Sequence, residues 1–191
     1  VYIQPNAGDA GGALGAALYV YHVLLKKPRK HIMKHAYYGQ SFSLAEEKAA
    51  IEKAGLPHEQ VDEVEKIAER AVSAMLKGQV IALFQGRFEW GPRALGNRSI
   101  LADPRNADMK VLVNEKIKFR EVFRPFAPAV LSEKADEYFD FGKAKGHYPQ
   151  KFMLYTVGAT KAGLMPAVTH VDGTSRVQAV EKDTNPIFYR L

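Results

Sequence analysis

Arginines set among glycines are the first residues of this chain with chemistry to offer. From Gly86 to Ile100 the sequence reads GRFEWGPRALGNRSI, with glycines at Gly86, Gly91 and Gly96 and guanidinium groups at Arg87, Arg93 and Arg98. Glycine lets backbone N–H groups approach a ligand closely, and each guanidinium presents a planar fork of donors matched to phosphate or carboxylate oxygens. The pattern outlines an anion site. It resumes after a helix-like segment with Lys116, Lys118, Arg120 and Arg124, interleaved with Phe119, Phe123 and Phe126 and closing as FRPFAP. Cations this dense repel one another, and a bound polyanion relieves the repulsion. The Walker pattern fails for want of Gly-Lys-Ser/Thr, and Gly-x-Gly-x-x-Gly is missing as well, so the cradle must draw its charge from arginine.

Several elements have to place these groups. Gln79–Phe84, QVIALF, is a nearly continuous apolar run that reads as a buried strand delivering the chain to Gly86. Before it, amphipathic helices are expected over Leu44–Ala54 and Val61–Lys77, split by Gly55-Leu56-Pro57. In the second, Val61, Val64, Ala68, Ala71, Val72 and Met75 share a face, and Gly78 ends it. After the glycine-rich stretch, Ser99–Ala102 can form a strand. Asp103 as N-cap and Pro104 at N1 then start a helix with Met109, Leu112, Val113 and Ile117 inward. Arg124 precedes Pro125 and is held extended, and at least two of Phe119, Phe123 and Phe126 are expected in the core.

Further on, Ser132–Phe141 reads as a short helix and Phe152–Val157 as a strand. VTHV and TSRVQAV flank Asp172-Gly173 as a hairpin. A two-residue turn would pair His170 with Ser175, and a three-residue loop would oppose His170 and Arg176. The latter is favoured if both line a site. At the other end, Val1–Lys26 reads as a strand, a turn at Gly8 and Asp9, and a helix from about Ala10 to Leu25, with Asp9 as an N-cap or a ligand. KKPRKHIMKHAYYGQS then looks like a connection. His31 and His35 stand four apart, but Ile32 occupies the place where the zinc-protease pattern has Glu, and no metal site is assigned to them.

The composition narrows the class. The chain has 191 residues, 47% hydrophobic and 25% charged, enough to bury a core. No apolar run could span a bilayer, and the zero cysteines exclude thiol nucleophiles, zinc ribbons and disulfides while agreeing with a cytoplasmic location. A net charge of +6 suits nucleic acid, an anionic cofactor or a phosphorylated substrate alike. The chain begins without Met at VYIQP and stops at IFYRL in mid-pattern, and it is expected to be a piece of something longer.

GRFEWGPRALGNRSILADPR followed by NEKIKFREVFRPFAPAVL closely resembles the C-terminal domain of the nodulation and antibiotic O-carbamoyltransferases. QPNAGDAGGALGAALYV and THVDGTSRVQAV match the same family, so the resemblance covers nearly the whole chain. It implies an α/β (α+β) architecture, a YrdC-like twisted mixed sheet with flanking helices, over residues 44–191. Residues 1–26 would be the strand-helix remnant of an ASKHA-type carbamoyltransfer domain, and 27–43 a linker. The implied reaction forms carbamoyladenylate from carbamoyl phosphate and ATP, then passes the carbamoyl group to a hydroxyl of a small-molecule natural product or sugar. By position it gives Arg93, Lys118 and Arg124 the catalytic anion-binding places, with Arg98, Gly91, Gly96, His170 and Arg176 contacting substrate or nucleotide. Asp9 matches a metal ligand of the missing domain, where iron would sit, and magnesium would arrive with ATP.

Members of the family continue past the position of Leu191 into an NTSFN-like segment. One wall of the ATP site is therefore expected to be absent and the fragment inactive in the complete reaction. A homodimer is among the assemblies allowed. The competing readings are a basic module for RNA or DNA, motivated by charge and interleaved aromatics, and a docking domain without small-molecule ligands.

Overall fold

The computed structural model describes residues 3–143 and 148–191, and they form a mixed helix-and-sheet structure. After a turn at 5–8 comes α1, Asp9–Tyr19, prolonged by a wider π turn over Val20–Leu24. α2 is Leu44–Ala54 and α3 is Val64–Leu76. β1, Ile81–Phe84, pairs antiparallel with β2, Arg98–Leu101, Ile81 facing Leu101 and Phe84 facing Arg98. α4, Asp108–Leu112, runs into a π turn over Val113–Ile117. β3, Ala129–Leu131, lies parallel to β7, Gln178–Val180. α5, Ala135–Tyr138, leads into β4, Phe139–Asp140, which pairs with β5, Val157–Ala159, and β5 with β6, Thr174–Ser175. α6, Pro186–Arg190, follows.

Parallel and antiparallel pairs are both present, but in place of one twisted mixed sheet the described residues hold three separate ladders. Their strands are two to four residues long, too short to carry a continuous sheet past the loops between them. Two cores result. One gathers Ala135, Phe139, Phe141, Val157, Met165, Val168 and Val177, and the other Met33, Ala36, Leu95 and Phe152. Burying each Val, Leu, Met or Phe among them contributes roughly 1.5–3 kcal/mol.

Local expectations meet mixed outcomes. α2 and α3 fall where the periodicity put them, α2 headed by a Ser43–Glu46 capping box and closed by Gly55 in the left-handed region. β1 is not a buried strand. It has one partner, its exposure alternates, and Phe84 is 54% exposed. The helix expected from Pro104 starts at Asp108, because the Asp103 carboxylate is taken by the Arg105 guanidinium at 2.7–3.1 Å and by the Arg105 N–H. The strand expected over Phe152–Val157 begins only at Val157. Pro149–Phe152 form a 3₁₀ turn, and Met153 breaks it with φ +53°. Of the expected first strand, Val1 and Tyr2 lie outside the described residues, and Ile3–Gly8 contain no strand.

The segment read as a connection is stitched to the glycine-rich loop. Gly39 N–H donates to Phe88 O at 2.9 Å, Phe88 N–H to Gln40 O at 2.8 Å and Trp90 N–H to Ala36 O at 2.6 Å. Ala36 is 1% exposed as a result. On α1, by contrast, no residue is buried.

Gly96 tests how tightly the loop is seated. Its φ is +108°, and a Cβ there would fall 2.3 Å from the Phe188 ring and 3.0 Å from Asn185 Nδ2. Gly96→Ala is therefore expected to lower unfolding stability by more than about 2 kcal/mol, read as a shifted urea midpoint. An unchanged midpoint would contradict this packing.

Candidate functional site

The loop between β1 and β2 folds around a carboxylate from its own sequence. Glu89 Oε1 accepts the N–H groups of Leu95 at 2.8 Å, Asn97 at 2.9 Å and Arg98 at 3.3 Å. Ser99 Oγ takes the Gly96 N–H at 2.9 Å. The amides expected to cradle a ligand near Gly96 are thus satisfied within the protein. Gly91 has a packing reason too, since a Cβ there would lie 2.2 Å from Asn6 Oδ1.

A buried amide network secures the loop from beneath. Asn185 Nδ2 donates to Asn97 Oδ1 at 2.9 Å and Tyr37 Oη at 3.0 Å, while Asn185 Oδ1 accepts from Gln85 Nε2 at 3.2 Å and from the Phe188 N–H at 3.1 Å. Tyr37 Oη and Gln178 Nε2 both donate to Leu95 O, at 2.7 and 2.8 Å. Burial raises the Tyr37 pKa, with the charge of Glu89 adding to the rise, so the phenol keeps its proton and can donate.

The arginines divide into two groups. Arg98 is structural: its guanidinium lies 3.6 Å from the Phe84 ring centroid and 4.1 Å from that of Phe88, and it donates to the carbonyls of Gln85, Gly86 and Asn97. Arg87 Nε donates to Gly39 O at 2.9 Å. Arg176 is different. It follows β6, between the fully buried Ser175 and Val177, and its buried Nε, like that of Arg98, has no partner among the described residues. Burial and then the charges of Arg93 and Arg120 push its pKa down. The charges that act on Arg176 thus belong to two stretches far from it in sequence. Among the described residues neither Arg93 nor Arg176 forms an ion pair.

Arg120 had no assigned role in the sequence, and its position is set by Asn114. Asn114 is fully buried, and the π turn holds it. Its Oδ1 accepts from Arg120 Nε at 2.7 Å, and its Nδ2 donates to Arg124 O at 3.0 Å and Val122 O at 3.3 Å. Arg120 also lies over Phe126, 4.9 Å from the ring centroid, and burial lowers its pKa, with Arg124 adding to the effect and Glu121 opposing it. Lys118 and Arg124 stand on the exposed side of this loop, Arg124 3.6 Å from Glu121. Phe119 and Phe123 are 84% and 75% exposed, against the expectation that at least two of the three rings are core. Phe126 alone packs inward. Phe119 also adopts φ +48°, a left-handed conformation costly for a bulky side chain.

His170 joins the cluster by another route. Neither expected hairpin register is formed. The turn closes one residue earlier, with His170 N–H donating to Thr174 O at 2.8 Å and Gly173 N–H to His170 O at 3.0 Å. Asp172 draws the turn in, because its Oδ1 accepts both the N–H and the hydroxyl of Thr174, and Gly173 supplies φ +78°. Burial lowers the His170 pKa. Asp172 opposes this, while Arg176 and Lys110 reinforce it, so the imidazole faces the same positive field.

Asp9 is placed apart. It is exposed in the first turn of α1, whose N-cap is Gly8, so it does not cap the helix. No group of three His, Asp or Glu side chains able to hold a metal occurs among the described residues. His31 and His35 are occupied with aromatic neighbours, His31 Nε2 lying 3.2 Å from Tyr38 Oη and His35 stacking on Tyr37.

The amide of Asn114 is the support that can be removed most cleanly. Asn114→Ala is expected to cost about 1–3 kcal/mol by leaving buried polar groups unpaired, and to speed amide hydrogen exchange selectively over residues 118–124. Exchange unchanged in that loop would show that Asn114 does not hold it.

Comparison with known proteins places the chain in a family. Residues 72–191 match the family described as Carbamoyltransferase C-terminus. The nodulation protein NolNO of Sinorhizobium fredii (strain NBRC 101917 / NGR234) is 40% identical over 193 residues, covering 100% of this chain and 28% of that protein. Nodulation protein NolO of Bradyrhizobium diazoefficiens is 40% identical over 189 residues, 99% of this chain and 34% of its own length. The 3'-hydroxymethylcephem-O-carbamoyltransferase of Amycolatopsis lactamdurans is 36% identical over 194 residues, again 100% of this chain and 34% of its own. The chain thus spans about a third of the length of these relatives. With most of its length inside the matched region, the chain belongs to the carbamoyltransferase C-terminal family.

Proposed function

We propose that this chain is the activation part of an O-carbamoyltransferase, a YrdC-like unit that binds carbamoyl phosphate and ATP and forms carbamoyladenylate. The carbamoyl group would then pass to a hydroxyl of a small natural product or sugar on a transfer domain of which residues 1–26 are the end. The observation that carries the reading is the partly buried Arg176, its Nε unpartnered and without an ion pair among the described residues, under the charges of Arg93 and Arg120. Such a cluster is stable chiefly when an anion enters it.

In this scheme carbamoyl phosphate loses its phosphate to water, and an oxygen of the resulting carbamate bonds to the α-phosphorus of ATP as the pyrophosphate oxygen departs. Two anions must be held together for that bond to form, which asks for positive groups fixed in advance. Arg120 is so fixed by Asn114, and Arg176 and Arg93 add their charge to the same field, while Lys118 and Arg124 stand exposed where a second anion would arrive. Magnesium would come with the nucleotide and needs no protein cage. An iron site does not fit the described residues, among which Asp9 offers a single carboxylate.

The exposed rings of Phe119 and Phe123 favour one competing reading, a stacking surface for single-stranded RNA. Titration calorimetry separates the two. Carbamoyl phosphate and Mg-ATP, singly and together, are expected to bind the chain, and Arg176→Ala to weaken phosphate binding by about 10- to 100-fold. RNA binding that neither ligand displaces would favour the nucleic-acid reading. In a protein carrying the transfer domain, Arg124→Ala is expected to abolish carbamoyl-dependent pyrophosphate release, and normal turnover would remove Arg124 from the site.

A further inference from the structure

Beside the cations lies one buried nitrogen that can only accept, His170 Nε2. Asp172 Oδ1 receives the Thr174 hydroxyl proton at 2.7 Å, and hydrogen bonds from Thr174 hold the Asp172 carboxyl below its ordinary pKa, so this acid is ionised and cannot be the donor. The Thr174 hydroxyl has a single hydrogen and is therefore an acceptor toward its other neighbour, His170 Nδ1, at 3.0 Å. It follows that His170 carries its proton on Nδ1. Nε2 is left with a lone pair, buried and without a partner among the described residues. The charges acting on the ring are those of Asp172, whose Oδ1 is engaged by Thr174, and of Arg176 and Lys110, which donate and never accept.

We propose that His170 Nε2 is the specificity-determining acceptor of this site, reading the N–H of the carbamoyl group while the arginines hold the oxygens. The assignment rests on the activation reading given above. It follows from complementarity. An acyl phosphate presents oxygens to every donor in the cluster, but only a carbamoyl group also presents an N–H. The methyl of acetyl phosphate would leave Nε2 buried and unsatisfied, and a site with an orphaned acceptor discriminates against the analogue that orphans it. Thr174 and Asp172 act through His170 as positioning residues, since a proton moved to Nε2 would turn the acceptor into one more donor.

Titration of the chain with carbamoyl phosphate, acetyl phosphate and inorganic phosphate tests this. The wild type is expected to prefer carbamoyl over acetyl phosphate by about tenfold or more. In His170→Phe the preference is expected to vanish while inorganic phosphate still binds. Thr174→Val, of similar volume, is expected to reduce the preference without changing phosphate affinity. Ring ¹⁵N shifts of the wild type should show a protonated Nδ1 and a bare Nε2. Equal affinity for the two acyl phosphates in the wild type, a preference surviving in both variants, or a proton found on Nε2 would overturn the acceptor role and leave the anion site standing. Failure of all three phosphates to bind the wild type would instead overturn the activation reading and this assignment with it.

Discussion

A single carboxylate, that of Glu89, decides the shape of the loop on which the rest depends. Gathering the N–H groups of Leu95, Asn97 and Arg98 on one oxygen turns the chain back toward β2 and sets the carbonyl of Leu95 facing inward. Tyr37 and Gln178 then converge on that carbonyl from stretches 58 and 83 residues away. Asn185 binds the same region from the far end of the sequence through Asn97. The charge-assisted bonds of Glu89 are among the stronger local interactions, and the neutral bonds of Tyr37, Gln178 and Asn185 then tie in parts of the chain that periodicity would treat as unrelated.

How far the sequence revealed this depends on the range of the interaction concerned. α2 and α3 were legible because their signals are local: apolar spacing and a glycine just past the C-terminal end of each, Gly55 and Gly78. β1 kept its place but not its burial, since an apolar run does not say how many partners a strand will find. The helix start at Asp108 and the turn at Asp172 were missed for one shared reason. In each, a short carboxylate side chain bonded its own neighbours, Arg105 or Thr174, and that local competition outweighed the pattern around it.

The candidate site was half legible. A dense set of cations was visible from the sequence, but not which of them the fold would occupy. Arg98 looked equivalent to Arg93 in the motif, yet its guanidinium is sandwiched between Phe84 and Phe88 and bonded to carbonyls. Arg120, two residues from Lys118, had no assigned role, because its relevance comes from Asn114 and from Arg176, some 56 positions later in the chain. The glycines were read as room for a ligand, whereas Gly91 and Gly96 make room for Asn6 and Phe188. A glycine signals close approach, and sequence alone does not tell whether the visitor is a ligand or the protein itself.

The two populations of guanidinium differ in what reaches them from solution. Arg98 is held by ring faces and carbonyls in direct contact, at distances no counterion can enter. Arg93 and Arg176 are half-buried and repel each other without an ion pair among the described residues, and such repulsion is screened by salt over about 10 Å at 0.1 M ionic strength. Ionic strength therefore acts on the scaffold and the site separately. Raising it relaxes the strain among these cations and weakens their long-range pull on an anion, yet leaves the sandwiched arginine, and with it the hairpin, as it was.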